Sequence, residues 1–216
     1  MDVEAFIAEL DALVASAGAR ISAAAARPPA GEVSIPDLLA AALRSELEAS
    51  EEAAAWMAGE KDVELKLGFA RQCGDEARHY RLIEARLREL GVDPGRLEQG
   101  RVPSPLYRWL RGLETPAERL AAGALAREGV ALATNAAFAR LCAERGDEVT
   151  ARLYREEIGP DEAHHHEFGR RMLRRFAIAP DDQERARAAV ARALRLAEDG
   201  LDATRARQGA PAAPGC

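Results

Sequence analysis

The chain has 216 residues, 48% of them apolar and 31% charged, with a formal net charge of −6. That balance excludes an extended disordered chain, and the acidity disfavours a non-specific nucleic-acid surface. No apolar run approaches the roughly 20 residues needed to span a bilayer. The opening Met1-Asp2-Val3-Glu4 lacks the basic region of a signal peptide. Three scattered cysteines (Cys73, Cys142, Cys216) form no Cys-x-x-Cys pair, which argues against a disulfide framework or a zinc knuckle. A reducing, cytoplasmic setting with no membrane partner is the expectation.

Alanine dominates and aromatics reach only 5%, a helix-favouring composition. Apolar residues at helical spacing predict a first helix over 3–26, ended by Pro28-Pro29-Ala30-Gly31. A long helix follows from near Pro36 to about Gly59, and another begins after Lys61-Asp62 and runs to Leu90, where Gly91 is a good stop. Residues 92–115 hold three prolines and three glycines and read as a crossover. Thr115-Pro116-Ala117-Glu118 combines an N-cap, a proline in the first turn and a capping-box glutamate. That helix runs to about Arg145, and Asp147 caps the next, which ends near Phe176. Gly159-Pro160 should bend or loosen it. A last helix covers 181–207, and 208–216 reads as a frayed tail. One domain over 1–216 is expected, all-α, with a four-helix bundle over 36–176. The crossover is long enough for the second and third bundle helices to run parallel.

All four histidines lie in two segments, Asp75-Glu76-Ala77-Arg78-His79 and Asp161-Glu162-Ala163-His164-His165-His166. Each contains Glu-x-x-His, whose i and i+3 side chains share a helix face and can reach one metal. Both sit inside apolar stripes: Leu65, Phe69, Cys73, Ile83 and Leu87 around Glu76, and Tyr154, Ile158, Met172 and Phe176 around Glu162. A carboxylate buried there without a counter-charge is expensive, so a cation is required. In the first bundle helix only Glu46 shares the apolar stripe, while Glu48, Glu51 and Glu52 fall on the wet face. In the third, Glu128 is the stripe's carboxylate. The midpoints of Glu46/Glu76 and Glu128/Glu162 fall at 61 and 145, both in predicted turns. The chain therefore reads as a pseudo-repeat, Glu…Glu-x-x-His twice. Four carboxylates and two imidazoles suit a pair of iron or manganese ions.

Here the sequence resembles the ferritin-like di-iron carboxylate superfamily over roughly 36–176. Asp75-Glu76-Ala77-Arg78-His79 is similar to an element of bacterial di-iron oxygenases, and Tyr80-Arg81-Leu82-Ile83-Glu84 to bacterioferritin and rubrerythrin helices. Glu46-Leu47-Glu48-Ala49-Ser50 is similar to the ferritin first helix. The resemblance implies a ferritin-like four-helix bundle with one long crossover. It implies that Glu46, Glu76 and His79 hold one metal and Glu128, Glu162 and His165 the other. One or both of Glu76 and Glu162 would bridge, and Asp75 and Asp161 would accept from the histidines' outer N–H groups.

The cofactor expected is two iron ions, with manganese or a mixed pair as the alternative. The partners expected are O2 or peroxide, a small-molecule substrate and an external reductase, with room for a homodimer. The leading function is an O2- or peroxide-activating oxidoreductase; the alternative is a ferroxidase or iron-storage protein of bacterioferritin or rubrerythrin type. His164 stands where the first motif has Arg78, and Ala131 or Leu132 where oxygenases often carry threonine, which favours oxidation or desaturation over hydroxylation. Asn135 reads equally as a hydrogen-bonding group near the site and as a helix–helix contact. His164 and His166 (extra ligands or proton shuttles otherwise), Trp56 and Tyr154 (redox-active otherwise) and the crossover arginines Arg96, Arg101, Arg108 and Arg111 (facing an anionic substrate or redox partner otherwise) read first as surface or packing residues.

Overall fold

A computed structural model describes residues 1–25, 34–97, 102–208 and 214–215, and every regular element among them is helical. Helix α1 covers Val3–Ala25, α2 Ile35–Gly59 and α3 Val63–Glu89. The crossover carries two short helices, α4 (Pro94–Leu97) and α5 (Pro105–Leu110). A third rod joins α6 (Pro116–Arg119), a π-helical segment Leu120–Arg127 and α7 (Glu128–Glu144) without a break. A fourth joins α8 (Glu148–Arg152), a second π segment Leu153–Ile158 and α9 (Gly159–Phe176). Helix α10, Pro180–Gln208, closes the order.

The boundaries follow local chemistry. The Ser34 hydroxyl accepts from Asp37 N at 3.2 Å with Pro36 in the first turn, and Asp62 accepts from Leu65 N at 2.9 Å. The Thr115–Glu118 capping box is formed on both sides. Gly91 at φ +80° ends α3 with Val92 N–H on Leu87 O and Gly91 N–H on Arg88 O. Gly146 at φ +79° repeats that motif after α7, with Asp147 N–H on Cys142 O. Both satisfy orphan carbonyls with a left-handed residue that only glycine adopts cheaply.

Gly159-Pro160 does not break its helix. The proline has no N–H for the preceding turn, and the helix widens there into the π form, Gly159 N–H bonding Tyr154 O. A Cβ on Gly159 would lie 2.9 Å from that oxygen, so glycine is required. The π segment ahead of Glu128 has no sequence signal of this kind.

Four rods share the bundle. One apolar cluster joins Leu39 and Leu43 of α2, Ile83 and Leu87 of α3, Phe138 and Cys142 of α7, and Tyr154 and Ile158 of the fourth rod. A second gathers Trp56, Leu65, Phe69, Leu120, Leu125 and Met172 with residues of α1 and α10. Between the two lies a layer of buried polar side chains. From that layer into the first cluster α3 and α7 run forward and the other two rods backward, so α3 and α7 are parallel, as the crossover length predicts. Among the described residues no helix is long and apolar enough to cross a membrane.

Two expectations need correction at the C-terminus. Helix α10 starts at Pro180 and continues to Gln208. The tail is not wholly frayed: Pro214 is buried, and Gly215 N–H donates to Asn135 Oδ1 at 2.8 Å. Residues 209–213 and 216, like Pro28 to Gly31 and Arg101, lie outside the described residues.

Glycines let the rods close around the polar layer. A Cβ on Gly169 would meet Ala124 Cβ at 2.9 Å and the Ala124–Leu125 backbone at 3.0 Å, and backbone cannot yield as a side chain does. Gly169→Ala is expected to cost ~1–3 kcal/mol through overpacking. Gly74→Ala, at an exposed helical site with nothing within 4 Å, should stabilise by ~0.5–1 kcal/mol. Thermal denaturation of the two variants beside the parent checks the opposite signs.

Candidate metal centre

Within the polar layer six side chains converge, one carboxylate from each of four rods and a histidine from two of them. Ligand atoms of Glu46, Glu76, His79 and Glu162 lie within 4.8 Å of one another, as do those of Glu76, Glu128, Glu162 and His165. All six residues are buried. They are the six that the phase argument singled out, and each group is a set that could hold a metal ion. Glu76 and Glu162 belong to both.

The orientation of the two shared carboxylates is specific. Glu76 presents Oε2 to His79 Nδ1 at 3.1 Å and Oε1 to His165 Nδ1 at 3.3 Å. Glu162 presents Oε1 to His79 Nδ1 at 3.9 Å and Oε2 to His165 Nδ1 at 3.4 Å. Each thus offers one oxygen to each histidine. Glu46 Oε2 stands 3.5 Å from His79 Nδ1.

Both histidines point Nδ1 inward and Nε2 outward. The outer nitrogens pair across the repeat: His79 Nε2 lies 3.3 Å from Asp161 Oδ2, and His165 Nε2 lies 3.1 Å from Asp75 Oδ2. Each aspartate serves the other motif's histidine and is held by an arginine, Asp161 by Arg78 at 2.7 Å and Asp75 by Arg71 at 3.3 Å. Arg78 also donates to Glu157 at 3.0 Å, which explains an arginine in the first motif. Arg71, a turn before Asp75, fills the equivalent role opposite, so His164 is not needed for it. His164 is half-buried, in neither group, and burial with the nearby Arg71 lowers its pKa. His166 hydrogen-bonds Leu125 O through Nδ1 at 2.9 Å.

The wet-face assignment in α2 is corrected. Glu48 is buried and accepts from Ser104 N at 2.8 Å, because the crossover lies over it. Glu51 is half-buried and accepts from Tyr107 OH at 2.9 Å. Glu52 is wholly buried, 3.0 Å from Arg127 Nη1, and Arg127 itself is only 5% exposed. Arg127 Nη2 reaches Glu128 Oε1 at 3.2 Å, and Gln72 Nε2 donates to the same oxygen at 2.6 Å. Sequence reasoning missed Glu52, Gln72 and Arg127. Gln72 had a signal, one turn before Glu76 on its stripe; Arg127 had none beyond adjacency to Glu128.

Trp56 and Tyr154 sit in the two apolar clusters on opposite sides of the layer, Tyr154 with its ring 4.9 Å from Phe138. Asn135 holds the tail through Gly215.

Burial raises Glu46 to about 7 and Glu52 to about 8, and pushes Glu162 well above the ordinary range. Burial would raise Glu76 too, yet hydrogen bonds from His165 and His79 hold it well below. For His79 burial works downward, and the bonds to Glu46 and Glu76 override it to about 11; His165 is raised likewise. Without metal, the raised imidazoles of His79 and His165 stand as the counter-charge to Glu76, while burial favours the neutral forms of Glu52 and Glu162.

Residues 40–210 match the family model described as "Protein of unknown function (DUF455)", and the chain belongs to that family. No curated protein and no solved structure matches it.

These shifts fix the sign of a pH effect. His79 gains a proton on folding, so its stabilisation is full below about 6.5 and is lost as pH rises towards 11. Glu46 and Glu52, raised by burial, oppose folding as pH rises from 4.5 towards 7 and 8, in the same direction. The metal-free protein in chelator should therefore melt at lower temperature at pH 8.5 than at pH 6. Divalent metal should restore the loss, because it replaces the protons. Melting temperatures across pH, with and without metal, check both.

Proposed function

We propose that this DUF455 protein is a non-haem di-iron or manganese–iron carboxylate protein on a ferritin-like bundle, acting as an O2- or peroxide-activating oxidoreductase. The observation that carries the reading is the pair of carboxylates, Glu76 and Glu162, each offering one oxygen to each histidine. Two adjacent ions would be held in common by such a pair. The donor set fits as well: four carboxylates balance two divalent ions, and among the described residues no cysteine enters either group.

In this reading Glu46 and His79 complete one ion's ligands, and Glu128 and His165 the other's. Nδ1 is the metal-facing nitrogen. The aspartates fix each ring by accepting from Nε2–H, Asp161 for His79 and Asp75 for His165, and so hold the tautomer that leaves Nδ1 a lone pair. Arg78 and Arg71 hold the aspartates in turn. The apolar clusters on both sides exclude water. Bound there, a redox-active pair supplies electrons to reduce O2 or peroxide, with a separate reductase restoring them. The substrate is a small molecule.

Anaerobic loading with ferrous or manganous ion followed by elemental analysis should give about two ions per chain. Glu76→Ala and Glu162→Ala should each lose both ions, since each serves both groups. Glu46→Ala should lose metal and Glu48→Ala should keep it. Metal near zero in the reconstituted parent overturns the reading. On exposure to O2, iron oxidation should stop at about two per chain and reverse on reduction; continued uptake of hundreds of irons would establish the storage alternative instead.

A further inference from the structure

The polar layer has an apolar cluster at each end, and its sides are the seams between neighbouring rods. Between α2 and α3, Ser50 Oγ donates to Cys73 O at 3.0 Å. Between α3 and the fourth rod, Arg78 spans Asp161 and Glu157, and Asp161 and Asp75 each reach the histidine opposite. Between the third and fourth rods, Gly169 lies against the Ala124–Leu125 backbone. The seam between α2 and the third rod is spanned at Glu52 by the ion pair with Arg127. At Glu46 the same seam is filled by a segment from another part of the chain, Pro214-Gly215.

This segment touches both helices. Pro214 is buried, and Gly215 N–H donates to Asn135 Oδ1 of α7 at 2.8 Å. A Cβ on Gly215 would lie 3.0 Å from Ser45 Cβ, 3.2 Å from Ala42 Cα and 3.4 Å from Glu46 Oε1. Gly215 therefore stands against the backbone of α2 and against a candidate ligand at once. Its φ of +110° is one that only glycine adopts without strain. Asn135 is 3% exposed, and its Nδ2 has no acceptor among the described residues. A buried carboxamide that spends one half on the segment keeps a donor for another occupant of the slot. One hydrogen bond is a modest hold, so the segment can leave while the rods stay in place.

We propose that the slot between α2 and α7, lined by Ala42, Ser45, Glu46 and Asn135, is where a small exogenous ligand enters the metal centre, and that Pro214-Gly215 is the plug it displaces. The inference rests on the two-metal reading and adds to it a route and a device that regulates access. Asn135 is then a positioning residue, acting through the plug. A plug in place nine-tenths of the time would weaken the apparent affinity of an entering ligand about tenfold.

Gly215→Val tests this without altering the bundle, because strain at φ and the close approach to Ala42 both expel the segment. Amide hydrogen exchange on the metal-free full chain reads the plug itself. The Gly215 N–H should be protected in the parent and exchange freely in Gly215→Val and in Asn135→Ala. Free exchange in the parent overturns the plug and leaves the two-metal reading standing. The second arm loads the full chain with Co2+ and follows azide binding by visible absorption. Gly215→Val should hold as much cobalt as the parent and bind azide about tenfold faster and tighter, and Asn135→Ala should shift the same way. Equal azide behaviour in the parent and Gly215→Val, at equal cobalt content, overturns the route alone. Absence of cobalt from the parent overturns both the inference and the two-metal reading.

Discussion

Burying several carboxylates in the middle of a helical bundle is the constraint to which everything else answers. Each ion withdrawn from water costs on the order of several kcal/mol even after relaxation, and here Glu46, Glu52, Glu76, Glu128 and Glu162 are all fully buried. Compensation is local and comes in two parts. His79 and His165 stand within 4 Å of carboxylate oxygens of Glu46, Glu76 and Glu162, and Arg127 sits between Glu52 and Glu128. A layer of this kind contributes little to stability in comparison with apolar packing of the same volume. Its retention is the physical argument for chemistry at that place.

Backbone geometry is arranged around the same layer. Both π segments end immediately before the helices that deliver Glu128 and Glu162, and wide turns of this type concentrate where a helix must aim side chains that a regular turn would misdirect. In the third rod the wide turn delivers two consecutive residues, Arg127 and Glu128, to the interior. The glycines act with it, Gly169 letting α9 approach the backbone at Ala124 and Gly123 admitting the Trp56 ring.

Much of this was legible in the sequence. Caps at Thr115 and Asp147 are short-range chemistry, and they set those helix starts within a residue or so. Equidistance from the turns matched Glu46 to Glu76 and Glu128 to Glu162, because an antiparallel hairpin leaves no other register. What could not be read depends on neighbours distant in sequence. Glu52 looks wet on a helical wheel of α2 alone, and only Arg127, 75 positions on, makes its burial tolerable. The exchange of aspartates between motifs is likewise invisible, since each Asp-Glu-x-x-His reads as self-contained while Asp161 serves His79 and Asp75 serves His165.

That exchange ties the two halves into one unit. A helix displaced by even a fraction of a turn in either hairpin would uncouple a histidine of the other from its aspartate, so the halves hold each other's imidazole orientation. The histidines are supported alike, while Glu128 accepts from Gln72 and Arg127, whose counterparts by position in the other half are Ile158 and Ser45.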